Sequence, residues 1–198
     1  MNPYHYIVSF AKGVGGIIRD ASLILRPNFN DMANLSLTSP SNGSAVFNGS
    51  SDYIQLPDPF SHTNHTIAAW VYLDAAAFST IFDNRDVNDD GIRLVVNDSN
   101  VLFYQLNGSD ITHTLSLNDW IFVAASYDGT TQKLYADGSL VSSVATSQTI
   151  SVSDYDSNIG KSTYESNYWN GNLANVAIWN RALTSDEINS VIDRKSVV

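Results

Sequence analysis

The chain has 198 residues, 43% of them hydrophobic, which suits one domain with a buried core. Ten Lys and Arg against 20 Asp and Glu give a net charge of −10, which disfavours binding to nucleic acid and to anionic membrane surfaces. Cysteine is absent, so disulfides, thiolate metal sites and a cysteine nucleophile are excluded.

The N-terminal region, residues 1–43, differs in amino-acid composition from the rest of the chain. Residues 34–43 are polar and end in Asn42-Gly43, which predicts a linker before a domain at 44–198. Residues 1–33 carry too many apolar side chains for a solvated tail, so we expect an arm that docks onto other protein subunits. These side chains are Tyr4, Tyr6, Ile7, Val8, Phe10, Ile17, Ile18, Leu23, Ile24, Leu25 and Phe29.

After residue 43, dipeptides that tolerate positive φ alternate with short β-rich segments, which predicts an antiparallel sandwich. The dipeptides are Asn48-Gly49, Asp90-Gly91, Asn107-Gly108, Asp128-Gly129, Asp137-Gly138 and Asn170-Gly171. The predicted strands are Thr66–Leu73, Ile92–Val96, Val101–Leu106, Trp120–Tyr127, Gln132–Ala136, Leu140–Val144 and Leu173–Trp179. The segment Trp120–Ala125 is apolar on both faces, as expected of a central strand.

One helix is predicted near the C-terminus. Thr184 followed by Glu187 forms a capping box, with the apolar residues Ile188, Val191 and Ile192 behind it.

The order of several motifs resembles the laminin-G-like branch of the concanavalin A-like jelly rolls over roughly residues 44–192. The motifs are Ala45–Gly49, Asp52–Pro57, Thr66–Val71, Asn118–Trp120, Tyr127–Gly129, Leu134–Gly138, Asn158–Gly160, Trp169–Gly171, Asn175–Leu183 and Ser185–Ile188. The resemblance implies an all-β, two-sheet antiparallel jelly roll with one short helix. It also implies adhesion or carbohydrate binding, with enzymes a minority.

The carboxylates argue against a glycosidase, which needs two of them about 5 Å or about 6.5–9.5 Å apart. The chain has two Glu, 22 residues apart, and Glu187 is assigned to the helix cap. No Asp pair stands on a predicted strand at i, i+2 or i, i+4 spacing. Gly160-Lys161-Ser162 lacks the rest of a phosphate loop, so we interpret it as a strand end with a solvated lysine. The four histidines form no ligand pair and are expected in loops or at the surface.

The loop Asp83–Gly91 is the best candidate for a metal site. Asp86, Asn88 and Asp90 alternate before Gly91, as in the first half of an oxygen-ligand calcium loop. Position twelve of that loop is Asn97 instead of a bidentate Glu. The pattern favours a solvated acidic hairpin, with Ca²⁺ as the open alternative and no cofactor assigned.

A glycan site needs an exposed aromatic platform beside amides and carboxylates. Tyr155, Tyr164, Asn167 and Tyr168 offer that combination on predicted loops, whereas Trp169 belongs to a family motif and is expected in the core.

Proteins of this class usually act outside cells, whereas the N-terminus lacks a signal-peptide pattern and the chain lacks cysteine. Our first hypothesis is therefore a non-enzymatic capsid decoration or fibre protein of a virus or phage particle, located on the virion or an extracellular surface. We expect a homo-oligomer or a particle subunit, with carbohydrate as a second partner. The alternative is a free bacterial carbohydrate-binding or adhesion module, and a hydrolase is the third hypothesis.

Overall fold

The structure, a computed structural model, describes residues 44–56, 62–150 and 157–192 with their side chains, and the backbone of 4–9, 22–27, 37–38 and 193. The strands are β1 (Tyr4–Ser9), β2 (Ser22–Pro27), β3 (Leu37–Thr38), β4 (Ala45–Asn48), β5 (Ile54–Gln55), β6 (His65–Leu73), β7 (Ser79–Asp83), β8 (Ile92–Val96), β9 (Val101–Leu106), β10 (Ser109–Thr114), β11 (Trp120–Tyr127), β12 (Thr131–Ala136), β13 (Ser139–Ala145), β14 (Asn158–Ile159), β15 (Asn170–Trp179) and β16 (Ile192–Asp193). The helix is α1 (Ser185–Val191).

Two antiparallel sheets form the described part of the molecule, which confirms the predicted sandwich. The larger has eight strands in the order β13-β12-β11-β6-β15-β1-β2, with β4 also paired to β15. The smaller has six strands in the order β10-β9-β8-β7-β14-β5, and β3 pairs separately with β16. None of the described helical structure is long and apolar enough to cross a bilayer.

The central strand β11 is buried on both faces, as predicted. Its residues Ile121 and Val123 pack into the main core, whereas Phe122 and Ala124 belong to a second apolar cluster. That second cluster includes Ile188 and other residues of the helical region, so α1 supplies the outer cover of the larger sheet.

The capping box of α1 is present as predicted. The Thr184 side chain accepts a hydrogen bond from the Glu187 amide at 3.2 Å, and Glu187 Oε2 accepts one from the Thr184 amide at 2.8 Å. Arg181 donates to both Glu187 oxygens at 2.8 and 2.9 Å, and these bonds lower the pKa of Glu187. Both carboxylate oxygens of Glu187 therefore accept hydrogen bonds that stabilise the start of α1.

The turn predictions were right at three hairpins and wrong at Asn170-Gly171. Asn107-Gly108 and Asp137-Gly138 join consecutive strands with positive φ at both residues of each pair, and Asp128-Gly129 lies in the short connection from β11 to β12 with positive φ at Gly129. Asn170-Gly171 instead begins β15. A Cβ at Gly171 would lie 2.2 Å from the Tyr72 carbonyl oxygen, so this glycine permits close strand approach and makes no turn.

His65 is fully buried, contrary to the expectation that every histidine lies in a loop or at the surface. Its Nδ1 donates to the Thr63 carbonyl at 2.9 Å, and its Nε2 accepts from the Tyr104 hydroxyl at 2.7 Å. Because His65 lies in β6 and Tyr104 in β9, this hydrogen bond joins the two sheets through the core.

The N-terminal arm contributes two strands to the larger sheet. β1 pairs with β15 on one side and with β2 on the other. Of the predicted docking residues, Tyr4, Tyr6, Ile7 and Val8 lie in β1, and Leu23, Ile24 and Leu25 lie in β2. Phe10, Ile17, Ile18 and Phe29 lie outside the described residues. Docking onto other subunits stays a prediction, and pairing with the chain's own sheet gives these strands a second role.

Deleting residues 1–33 should lower the melting temperature by about 5 °C. The deletion removes the ladder partner of Val176–Ile178 in β15, and the loss of a few backbone hydrogen bonds, each near the lower end of the usual net range, amounts to roughly 2 kcal/mol. Thermal unfolding by circular dichroism measures this. An unchanged midpoint would mean that pairing of the arm with β15 adds nothing to the stability of the fold.

Candidate functional site

A row of polar residues crosses the outer face of the six-stranded sheet. Each member is the direct register partner of the next, so their side chains lie on one face. The polar row consists of Gln55, Asn158, Asp83, Arg93, Gln105 and Asp110. Their chain neighbours, such as Phe82 and Leu94, point to the other face and pack in the main core.

Asp83 and Arg85 form a buried ion pair at the centre of this face. Arg85 donates to both carboxylate oxygens of Asp83, from Nε at 3.1 Å and from Nη2 at 3.0 Å. Arg85 Nη1 donates to Gln105 at 3.2 Å and also contacts the exposed Asp89. Burial alone would lower the pKa of Arg85, but the hydrogen bonds and charge of Asp83 raise it overall. The two parallel hydrogen bonds therefore hold the pair in a fixed geometry.

Residues 161–168, here called the 160s loop, are fastened to this ion pair. The buried Ser162 hydroxyl donates to Asp83 Oδ2 at 2.9 Å, and the Thr163 amide donates to the same oxygen at 3.3 Å. The Ser162 amide donates to the Asn167 carbonyl at 2.9 Å and closes the loop on itself. The loop is thereby held against the rigid sheet.

A second tie joins the 160s loop to β8. Arg93 Nη2 lies 3.1 Å from Glu165 Oε2, and Asn167 Nδ2 donates to the same oxygen at 2.6 Å. The charge of Glu165 is therefore compensated by Arg93, and its carboxylate is oriented by the side-chain amide of Asn167. Within the described part of the chain, the buried atoms Arg93 Nε and Thr163 Oγ1 have no hydrogen-bond partner, so hydrogen-bonding capacity remains beside the loop.

Tyr53, Lys161 and Tyr168 form what we call the tyrosine patch. The Tyr53 and Tyr168 rings meet edge to face, with centroids 6.5 Å apart and planes at 61°. Lys161 Nζ lies 4.5 Å from the Tyr53 centroid and 6.0 Å from that of Tyr168. Tyr53 is 42% exposed. The patch thus presents aromatic surface and an ammonium at one end of the 160s loop.

The structure brings together three of the four residues predicted for a glycan site. Tyr164, Asn167 and Tyr168 all lie in the 160s loop, with Tyr164 exposed, whereas Tyr155 lies outside the described residues. Trp169 is fully buried, as predicted.

Sequence reasoning missed Tyr53, and it interpreted Lys161 as a solvated lysine at a strand end, whereas Lys161 lies two residues beyond β14 and is partly buried against two aromatic rings. Residue 53 is more than 100 positions before the loop, so no local pattern joins them. The pairing of β5 with β14 is what brings the two segments together.

The predicted calcium loop is closed by its own hydrogen bonds. Asp86 Oδ1 accepts from the amides of Asn88 at 2.8 Å and Asp90 at 3.0 Å. The Asp86 amide donates to the Asp90 carbonyl at 2.8 Å. Among the residues with described side chains, no three His, Asp or Glu are arranged to hold a metal ion. Both the acidic hairpin and the Ca²⁺ site at Asp86, Asn88 and Asp90 remain predictions.

Millimolar Ca²⁺ should leave the melting temperature unchanged relative to a chelator, because Asp86 already caps its own turn. Paired thermal melts with CaCl₂ and with EDTA check this. A site that binds only the folded state would add about 2.7 kcal/mol at 100 times its Kd. A clear rise in midpoint that is lost in Asp86→Ala would establish the calcium site.

Comparisons with known proteins agree with this architecture. The heptameric SAP-like pentraxin from Limulus polyphemus has a TM-score of 0.62 and 18% identity, over 77% of this chain and 82% of that one. The CBM40 of the Ruminococcus gnavus IT-sialidase, bound to α2,3-sialyllactose, has a TM-score of 0.59 and 14% identity, over 75% and 95%. The receptor-binding domain of botulinum neurotoxin type G has a TM-score of 0.57 and 17% identity, over 93% of this chain and about half (49%) of that one.

These likenesses show the fold. No curated protein matches the chain significantly by sequence. The family model of the concanavalin A-like lectin/glucanases superfamily matches residues 48–189, most of the chain and nearly all of the jelly roll. The chain therefore belongs to that superfamily, in its laminin-G-like branch.

Proposed function

We propose that the protein is a non-enzymatic carbohydrate-binding module whose sugar site is the tyrosine patch together with the 160s loop. The observation that carries the proposal is the edge-to-face pair of the exposed Tyr53 and the partly buried Tyr168, beside a loop fastened to a buried ion pair. Aromatic faces pack against the C–H faces of sugars, while amides and carboxylates such as those of Asn167 and Glu165 hydrogen-bond to hydroxyls. A loop already held in place loses little entropy when a ligand binds.

The comparisons support this proposal at the level of fold. The Ruminococcus gnavus relative is a carbohydrate-binding module that was solved with a bound sialyllactose. A low-identity likeness does not transfer the ligand, so the argument for this chain depends on its own tyrosines and loop.

The carboxylates support a binding role over hydrolysis. Glu165 is paired with Arg93, and Glu187 is bound by Arg181 in the helix cap. Asp83 and Asp110 share the outer face but stand three strand spacings apart, roughly 14 Å. Asp89 contacts the same arginine as Asp83 and so lies closer to it, but Asp83 is fully buried in its ion pair and does not face a substrate. Glycosidases use carboxylates about 5–9.5 Å apart. The protein should therefore release no reducing ends from polysaccharides, and cleavage abolished by a single Asp or Glu substitution would overturn this part of the proposal.

A glycan array followed by calorimetry tests the binding. Tyr53→Ala and Tyr168→Ala should each weaken binding by about tenfold, since loss of one aromatic contact is worth roughly 1 kcal/mol or more. The matched control is Tyr72→Ala, because Tyr72 is a partly exposed tyrosine beside Trp120 on the larger sheet. Absence of binding across the array, or equal losses in all three variants, would contradict the proposed site.

A place in a virus or phage particle, on a virion or extracellular surface, is a finer proposal supported by the sequence alone. Its test is incorporation of the 1–33 deletion variant into the particle. Loss of incorporation with retained glycan binding would support docking through the arm. Normal incorporation would show that docking does not use the arm, whereas absence of the full chain from particles would favour the free carbohydrate-binding module.

A further inference from the structure

We propose that the sugar bound at the tyrosine patch carries a carboxylate, and that Lys161 binds it. This inference rests on the proposed function and names the chemical class of its ligand.

The first support is the pairing of the other cations. In a chain with twice as many acids as bases, a lysine or arginine usually finds a carboxylate nearby. Among the residues with described side chains, the Lys and Arg that do so within 4 Å are Arg85, Arg93, Lys133 and Arg181. Lys161 is the remaining one, and it lies against Tyr53 and Tyr168 instead. Of the described cations, the one that has no described carboxylate within 4 Å therefore sits in the candidate sugar site.

The second support is energetic. A lysine over an aromatic ring is held only by the ring quadrupole, which is a weak attraction at a partly exposed site. A hydrogen bond between an ammonium and a carboxylate joins two opposite charges and is shorter and stronger than a neutral hydrogen bond. The ammonium has three N–H donors, and ring faces are poor acceptors for them. A ligand carboxylate would therefore compete successfully for Lys161 while the sugar ring keeps its contact with a tyrosine.

The third support is the charge of the 160s loop itself. Its one acidic residue, Glu165, is compensated by Arg93 at 3.1 Å and accepts from Asn167. The loop therefore places no unpaired negative charge beside Lys161. The net charge of −10 is spread over the whole chain. At about 0.15 M salt, charges more than roughly 8 Å from the ligand are largely screened. Local pairing, more than total charge, decides which ligand fits.

The experiment compares acidic and neutral glycans on the full chain. Two pairs serve as probes: polygalacturonate against its fully methyl-esterified form, and α2,3-sialyllactose against lactose. We expect tighter binding of the acidic member of at least one pair, weakening as NaCl rises. Lys161→Gln should lower that affinity by about tenfold or more, whereas Lys161→Arg, which keeps the charge, should stay within about threefold of the wild type.

The outcomes separate this inference from the proposed function. If neutral and acidic glycans bind equally, unaffected by Lys161→Gln but weakened by Tyr168→Ala, the carbohydrate site stands and the acidic ligand is wrong. If acidic glycans bind but Lys161→Gln leaves affinity and salt dependence unchanged, Lys161 does not bind the ligand carboxylate and only packs against the two tyrosine rings. The inference would then be wrong. If no glycan binds, both proposals are overturned.

Discussion

Replacing Asp83 with alanine should destabilise the protein by about 3–5 kcal/mol and lower its melting temperature by about 10 °C or more. The reason is the partner that remains: Arg85 is 3% exposed, so its charge would be buried without compensation. Ser162 and the Thr163 amide would lose their acceptor at the same time. Thermal and chemical unfolding measure the stability. We also expect weaker glycan binding, measured by calorimetry, because the 160s loop loses its hydrogen bonds to Asp83.

Asp89 provides the matched control because it contacts the same arginine from a position 63% exposed. Asp89→Ala should cost less than about 1 kcal/mol, the usual worth of a surface ion pair. The double variant Asp83→Leu with Arg85→Met should be more stable than Asp83→Ala, since it removes both buried charges. Equal effects of Asp83→Ala and Asp89→Ala would contradict the burial argument.

The parts of the fold that the sequence predicted are those with a local signal. β11 was recognisable because Trp120–Ala125 is apolar on both faces, and α1 because a capping box precedes an apolar face. β7 and β10 were missed for different local reasons. β7 has no turn dipeptide immediately before it, and β10 (Ser109–Thr114) is a mostly polar edge strand with weak alternation. Tertiary pairing makes them strands.

The site was predictable only where its residues are consecutive. Tyr164, Asn167 and Tyr168 stand in one segment, and their types suggested a glycan loop. The polar row, in contrast, takes one residue from each of six strands, so it exists only once the register is set. Asp83 showed no sign of its role because its partner Ser162 lies 79 residues away.

Lowering the pH from 6.5 towards 4 should cost about 3 kcal/mol of stability through His65. Burial lowers the pKa of His65 to about 4, from an ordinary value of 6.5, against smaller opposing effects of backbone hydrogen bonds. The unfolded chain therefore binds more protons than the folded one between these values, so stability rises with pH. The contribution is fully present above about pH 6.5 and is lost as the pH falls towards 4.

Protonation would also reverse the inter-sheet bond, because a protonated Nε2 can no longer accept from the Tyr104 hydroxyl and must donate to its oxygen instead. Burial raises the pKa of Tyr104, so its hydroxyl stays protonated and its hydrogen would have to find another acceptor in the core. Partial burial lowers the pKa of His62 as well, which adds a contribution of the same sign. Urea unfolding from pH 4.5 to 7.5 should therefore show a steep decline for the wild type and a flatter one for His65→Gln, even though that variant is less stable at pH 7. Parallel curves for the two proteins would assign the acid sensitivity to groups other than His65.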